Sequence, residues 1–426
     1  MRTNILTKAG RLEGDVVLPG DKSISHRAVM LGSIAQGTTR ISGLLECDDC
    51  NYTIKAFQDM GVRIIKKSDS TIIEGLGLRS LKRPDAPLYM GNSGTTMRVL
   101  SGILAGQDFD VVLEADALLS KRPMDRIVKP LALMGVDIRS GPGGSPPIKI
   151  TGGRIKPITY SLPVPSAQVK SAILLAGLYA SGVTVVEETY KSRDHTERML
   201  KYFGSDVRID GLKVSVNGLQ ELSAQDINVP KDISSASFFM VAATILAGSK
   251  LKIEGVSTNP TRAGIIEIMR RMGARLDLVN PRNDFEPAGD MIVESSETRG
   301  TIIERDAIPS IIDELPVIFV LAALSKGRTV IKGVGELKVK ETDRIKSMIS
   351  NLGSMGARLS MDGDDMIIEG VAGLKPAQLK SFGDHRTCMA MAVASLRADG
   401  DSRIDDIECV SKSFPDFFEI LNRLKR

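Results

Sequence analysis

Tryptophan is absent from the 426 residues, and Phe, Trp and Tyr together make up only 4%. A chain so poor in flat rings offers no stacking platform for single-stranded nucleic acid. Charge of one sign is equally scarce. Lys and Arg number 56 against 52 Asp and Glu, for a formal net charge of +4, so no polycationic field covers the molecule and any anionic ligand is a small one. The four cysteines, at 47, 50, 388 and 409, are too few and too scattered for a disulfide framework and suit a reducing compartment. Cys47 and Cys50 form a lone C-x-x-C with no second pair and no His nearby, so packed or surface thiols are the better reading than a metal site. Nowhere do 18 apolar residues run without charge, which excludes a spanning helix. The opening MRTNILTKAGRLEG lacks the apolar segment of a secretory signal. A cytoplasmic protein is expected, with neither membrane nor nucleic acid as partner.

What the chain has in quantity is glycine, 40 residues, in a background that is 42% hydrophobic. At 426 residues a single core would be too large, and two domains of about 200 residues each are expected. The glycines mark an internal repeat. An apolar helix that ends in Gly and runs into a β-branched strand occurs six times: RAVMLGSIAQGTTRISGL, MRVLSGILAGQDFDVVLEA, KSAILLAGLYASGVTVVEE, SFFMVAATILAGSKLKIEGV, PVIFVLAALSKGRTVIKGV and MAMAVASLRADGDSRIDDI. The breaker glycines are Gly37, Gly106, Gly182, Gly248, Gly327 and Gly400. Between the copies runs an amphipathic helix that turns into a strand at a Gly: FQDMGVRIIK, LALMGVDIRS, MLKYFGSDVRI, MRRMGARLDLV and ISNLGSMGARLSM, with ILNRLKR as a truncated sixth. Gly after the last turn predicts a left-handed helix cap.

Helices this apolar belong inside, and three units per globule, with helices within and sheets without, satisfy the pattern. The best boundary lies in INVPKDISS, Ile227 to Ser235. The strand in GRLEGDVVLPG precedes the first helix and can close the ring of the distal domain. That predicts one domain over residues 20–231 and another built from 1–19 and 232–426. The chain would cross twice, near Pro19-Gly20 and near Pro230 to Asp232, making a hinge and an active-site cleft between the domains.

The chemistry-bearing residues gather at helix starts. PGDKSISHR sets Lys22, Ser23 and Arg27 around the first apolar helix; Ser23 is expected to cap it, and the free amides and dipole favour an anion. GNSGTTMR repeats the design, with Gly91 and Gly94 allowing close backbone approach and Asn92, Ser93 and Thr95 offering short polar groups. PSAQVK places Ser166 and Gln168 at a third helix start, and DISSAS furnishes a fourth. Further cations come from KRPMDR (Lys121, Arg122, Arg126), KVKETDR (Lys340, Arg344), GDHR (Arg386, with Asp384 and His385) and Lys412. Together they suit two anionic ligands. Asp313 and Glu314, at the start of the fifth apolar helix, and Glu341, among the cations of KVKETDR, are the acid and base candidates.

At these residues the chain resembles a known family. PGDKSISHRA, GNSGTTMR, SKRPMDR, PSAQVKSAILLAGLYA, RDHTERML, VPKDISSASFF, DELPV, KVKETDRI, GDHR and KSFPDFF look like successive blocks of the 5-enolpyruvylshikimate-3-phosphate synthase family, in family order from residue 19 to residue 418. The resemblance implies an α/β fold of the α+β type: a two-domain inside-out barrel of six βαβαββ repeats, three per domain about a pseudo-threefold axis. It implies a monomer that needs no metal or organic cofactor and acts on phosphoenolpyruvate and shikimate 3-phosphate.

By the same resemblance Ser23, Arg27, Ser166, Ala167 through its backbone, Gln168, Asp313 and Lys340 hold shikimate 3-phosphate, with Arg193 adding a phosphate contact. Lys22, Gly94, Arg122, Gln168, Arg344, Arg386 and Lys412 hold phosphoenolpyruvate, and Asn92 and His385 are further substrate-binding residues. Asp313 accepts the hydroxyl proton, and Glu341 and Lys22 deliver protons. Two departures stand out: SAQ where SSQ is common at 166–168, and Glu336-Leu337 where an Asn is expected. The sister family that uses UDP-N-acetylglucosamine carries a Cys near residue 115, and EADALLSKRPM has none. A non-catalytic anion-binding protein would not require both Asp313 and Glu341.

Overall fold

The structure, a computed structural model, describes residues 4–426, the side chain of Lys412 excepted. All six apolar repeats form helices: Lys22–Ile34, Gly94–Ala105, Ala167–Gly177, Ile233–Ile245, Leu315–Ala323 and His385–Ser395. They are buried on nearly every side, and Leu315–Ala323 is buried along its whole length. An acceptor side chain caps five of them at the N-terminus: Asp21, Ser93, Ser166, Asp232 and Asp384 each take a backbone N–H two or three residues on. Leu315–Ala323 carries Pro316 in its first turn instead. The expected cap at Ser23 is displaced. Helix Lys22–Ile34 begins two residues earlier than a Ser23 cap would set it, so Asp21 accepts from the Ile24 amide and Ser23 lies inside the first turn.

The breaker glycines also differ from expectation. Only Gly106 stands at the helix cap, with an ordinary right-handed φ of −91°. Gly37 already belongs to strand Gln36–Ser42, and the remaining four fall a few residues past their helix ends. The left-handed caps belong to the amphipathic helices, where Gly61, Gly135, Gly204, Gly273 and Gly356 have φ of 89, 90, 90, 95 and 88°. A side chain at any of these would be strained.

The chain forms two compact units, one of Gly20–Val229 and one of the residues up to Pro19 with Pro230–Arg426. In the first, three four-stranded sheets share one order: Ile227–Asn228, Gln36–Ser42, Ser70–Leu76, Arg63–Lys66; then Leu88–Tyr89, Asp110–Glu114, Ile148–Thr151, Asp137–Ser140; then Thr159–Ser161, Val183–Glu187, Lys213–Asn217, Val207–Asp210. The first pairing in each is parallel and the others antiparallel. The unit's last strand, Ile227–Asn228, thus completes its first sheet.

The second unit has two four-stranded sheets and a three-stranded one, Asn4–Leu6, Ser402–Ile404, Gln378–Leu379. Strand Glu13–Val16 lies parallel to Lys250–Ser257, completing a sheet whose other members come much later in the chain. The strands bury alternate residues, as in the exposed-buried pattern of Asp110–Glu114. Beneath them Ile233–Ile245, Leu315–Ala323 and His385–Ser395 pack on one another, and Phe238, Phe239, Phe414 and Phe417 meet with ring centroids 5.6–6.0 Å apart.

One buried charge departs from this apolar scheme. Lys170, fully buried in Ala167–Gly177, reaches Glu188 at 2.8 Å and Glu197 at 2.7 Å, and donates to the Ser192 carbonyl. Burial opposes its charge, but the Glu197 and Glu188 carboxylates outweigh that and raise its pKa. Lys170→Met would leave two buried carboxylates without their cation. A loss of about 3–5 kcal/mol is expected, seen as a lower urea midpoint of unfolding, and an unchanged midpoint would show the pair contributes nothing.

Candidate active site

The unit of Gly20–Val229 brings several of the expected residues together at its helix starts. Lys22 pairs with Asp49 at 3.0 Å. Arg27 is held on three sides: Nε donates to Thr196 Oγ1 at 2.7 Å, Nη2 to Ser171 Oγ at 2.7 Å, and Nη1 to the Ser23 carbonyl at 2.9 Å. Next to them His26 is wholly buried, its imidazole pushed down to about 3 chiefly by burial. It is therefore neutral, and its Nδ1 lies 2.7 Å from Thr53 Oγ1. Thr53 continues to Thr96 and Thr96 to Ser93, the cap of the next buried helix. A run of hydroxyls so links the first two helix starts.

Gly94 opens that second helix, and the Asn92 carbonyl accepts its amide. A methyl group on Gly94 would lie 3.1 Å from Nη1 of both Arg98 and Arg122, so the missing side chain is what lets two guanidiniums approach the backbone. Arg98 donates to Gln168 Oε1 at 2.8 Å, and Gln168 donates on to Thr95 at 3.0 Å. Gly94, Arg122 and Gln168 thus form one group with Arg98. Ser166 caps the helix that Ala167 begins. Arg193 follows Ser192, whose amide and hydroxyl both go to Glu188.

In the other unit the charges concentrate around Arg344. Its Nε lies 2.7 Å from Asp384 Oδ2, Nη2 2.6 Å from Glu341 Oε2, and Nη1 3.5 Å from Asp313 Oδ1. Burial works against the cation, but Asp384, Glu341 and Asp313 outweigh it and hold its pKa above the ordinary arginine value. Arg386 meets the other carboxylate oxygen of Asp313, with Nη2 3.6 Å from Oδ2 and Nη1 donating to the Asp313 carbonyl at 3.0 Å. Asp313 is therefore flanked by two guanidiniums. Burial pushes the Lys340 amine down to about 8, against the upward pull of Asp313 and Glu336. His385 begins the helix that carries Arg386, with Nδ1 4.0 Å from Asp384. Lys412 lies outside the described side chains.

Arg262, Glu314 and Ser234 form a buried group that meets Arg386. Glu314 stood among the acid candidates, but Arg262 had no signal: a lone Arg in TNPTRAG reads as a surface charge until its burial is known. Ser234 is hidden in DISSAS as one helix-start serine of several. Of the two readings of the cysteines, packed thiols hold and surface thiols do not. All four are free thiols, and none is at the surface. Among the described residues no cluster of His, Cys, Asp or Glu could hold a metal ion, and no helix is long and apolar enough to cross a membrane.

The arrangement can neutralise and orient phosphate and carboxylate groups through paired guanidiniums, and it sets carboxylates among those cations where a proton could be taken or given. The family model described as EPSP synthase (3-phosphoshikimate 1-carboxyvinyltransferase) matches residues 6–421. A 3-phosphoshikimate 1-carboxyvinyltransferase of Brevibacillus brevis is 49% identical over 98% of this chain and 99% of that one. One of Geotalea uraniireducens is 48% identical over 100% and 99%. The solved EPSP synthase of Acinetobacter baumannii superposes with a TM-score of 0.89 at 47% identity, covering 99% of this chain and 98% of that one. The enolpyruvyl transferase NikO of Streptomyces tendae, at 18% identity and a TM-score of 0.81, shares the fold. With a family match along nearly its whole length and full-length relatives at almost half identity, the chain belongs to the EPSP synthase family.

Proposed function

We propose that this chain transfers the enolpyruvyl group of phosphoenolpyruvate to the 5-hydroxyl of shikimate 3-phosphate, yielding 5-enolpyruvylshikimate 3-phosphate and inorganic phosphate. The observation that carries the reading is Asp313 set between Arg344 and Arg386, at 3.5 and 3.6 Å. In it the hydroxyl oxygen bonds to C2 of phosphoenolpyruvate, its proton passes to Asp313, and C3 gains a proton. The tetrahedral intermediate then loses a proton from C3 as it expels phosphate, restoring the double bond. Glu341, held on Arg344, and Lys22, held on Asp49, are the groups assigned to deliver protons.

Ser23, Arg27, Ser166, the Ala167 backbone, Gln168, Arg193, Asp313 and Lys340 are assigned to shikimate 3-phosphate. Lys22, Gly94, Arg122, Gln168, Arg344, Arg386 and Lys412 are assigned to phosphoenolpyruvate, and Asn92 and His385 to substrate binding. Phosphoenolpyruvate carries about three negative charges, and a second phosphate beside it calls for several fixed cations. The enzyme is assigned as a cytoplasmic monomer with only small-molecule partners. Four buried free thiols fit a reducing compartment.

The decisive assay is phosphate release from phosphoenolpyruvate with shikimate 3-phosphate as acceptor, run beside UDP-N-acetylglucosamine. Release that depends on shikimate 3-phosphate alone is expected. Release only with the nucleotide sugar, or with neither acceptor from folded protein, overturns the assignment.

A further inference from the structure

The Ser234 hydroxyl sits at the centre of a buried group of charges. A hydroxyl has one proton to give and two lone pairs to receive with. Ser234 donates to Glu314 Oε1 and accepts from Arg262 Nη2 and from Arg386 Nη1, the last at 2.8 Å. All its capacity is thus committed. Arg262 closes the group by donating to Glu314 Oε2 at 2.8 Å, and Asp232 lies 3.6 Å from the same guanidinium. Arg262, Ser234 and Glu314 are at most 3% exposed. Because Glu314 takes the only proton of Ser234, the lone pairs must face the two arginines.

The consequence falls on Arg386. Its Nη1 donates to Ser234 Oγ and to the Asp313 carbonyl at 3.0 Å. Both hydrogens of that nitrogen lie in the guanidinium plane, so two bonds from one nitrogen fix the plane itself. The direction of a planar fork decides whether it meets a carboxylate or phosphate with two bonds or one. Glu314 also neighbours Asp313 in sequence, so one group fixes the carbonyl and the hydroxyl that hold Arg386.

We infer that Ser234, locked by Glu314 and Arg262, is a positioning residue that sets the plane of Arg386 for phosphoenolpyruvate. The inference rests on the assignment of Arg386 to that substrate made above. Ser234→Ala should raise KM for phosphoenolpyruvate about tenfold, leaving KM for shikimate 3-phosphate within twofold and kcat within threefold. Ser234→Thr, which keeps the hydroxyl, should restore most of the affinity. In an Arg386→Ala background Ser234→Ala should add less than a twofold change, since residues acting through one another are not additive.

Equal changes in both KM values, a full tenfold effect in the Arg386→Ala background, or a lower melting temperature with no kinetic change would each overturn the inference. Should Ser234→Ala not fold, Ser234→Cys fills the site with a weak acceptor and takes its place in the same comparison. If Arg386→Ala itself leaves KM for phosphoenolpyruvate unchanged, the assignment of Arg386 fails. If it raises KM while Ser234→Ala does not, only the positioning role fails.

Discussion

Asp313→Asn should lower kcat about a thousandfold while KM for either substrate moves only a few-fold. Removing a general base typically costs 10²–10⁴ in rate, and the amide of Asn has almost the shape of the carboxylate without its basicity. Geometry explains why binding should survive. The close bond that Asp313 makes to Arg386 comes from its backbone carbonyl, at 3.0 Å, which the substitution leaves in place. The side-chain contacts to Arg344 and Arg386 are longer, at 3.5 and 3.6 Å. Arg344 keeps Asp384 at 2.7 Å and Glu341 at 2.6 Å, so its position does not depend on Asp313. Steady-state kinetics beside calorimetric titration with shikimate 3-phosphate separates the two effects. Turnover within tenfold of the parent would remove Asp313 from the role of base, and lost binding with it would make Asp313 a ligand-holding group only.

The periodic features were legible because they arise from local physics. A glycine after an amphipathic helix allows the positive φ that ends it, and the five glycines read this way all lie near 90°. The apolar helices were legible because no polar face interrupts them. What escaped depends on residues distant in sequence. Arg262 meets Glu314 52 positions on, and Ser234 meets Arg386 152 positions on; nothing in TNPTRAG or DISSAS announces a partner so far away. Lys170 escapes for a related reason. In VKSAILLAG a single lysine reads as the solvent side of a helix, yet Glu188 and Glu197 arrive from later elements and bury it. Ser23 is not the cap because Ser and Asp both serve, and two residues of offset in the helix start give the role to Asp21.

Lys340 carries the second large effect, and it is a pH effect. Burial lowers its amine from the ordinary lysine value to about 8, while Asp313, Glu336 and Glu341 raise it and Arg344 lowers it. A lysine binds an anion only when protonated. Below pH 8 the free enzyme carries the charge, and kcat/KM for shikimate 3-phosphate should not depend on this group. Above pH 8 the proton is lost, and kcat/KM should fall toward tenfold per unit, since that ratio reports the free enzyme. The limb in kcat should lie at higher pH, because a bound phosphate dianion adds to the groups that favour the ammonium. Lys340→Met should lower kcat/KM about a hundredfold at pH 7 and abolish the limb. Lys340→Arg keeps a cation that does not titrate in this range, so it too should lose the limb, with a smaller loss of affinity because its fork replaces a point charge. A limb near pH 8 that persists in both variants would assign the titration to another group, and an unchanged kcat/KM at pH 7 in Lys340→Met would leave Lys340 with no part in binding the acceptor's charge.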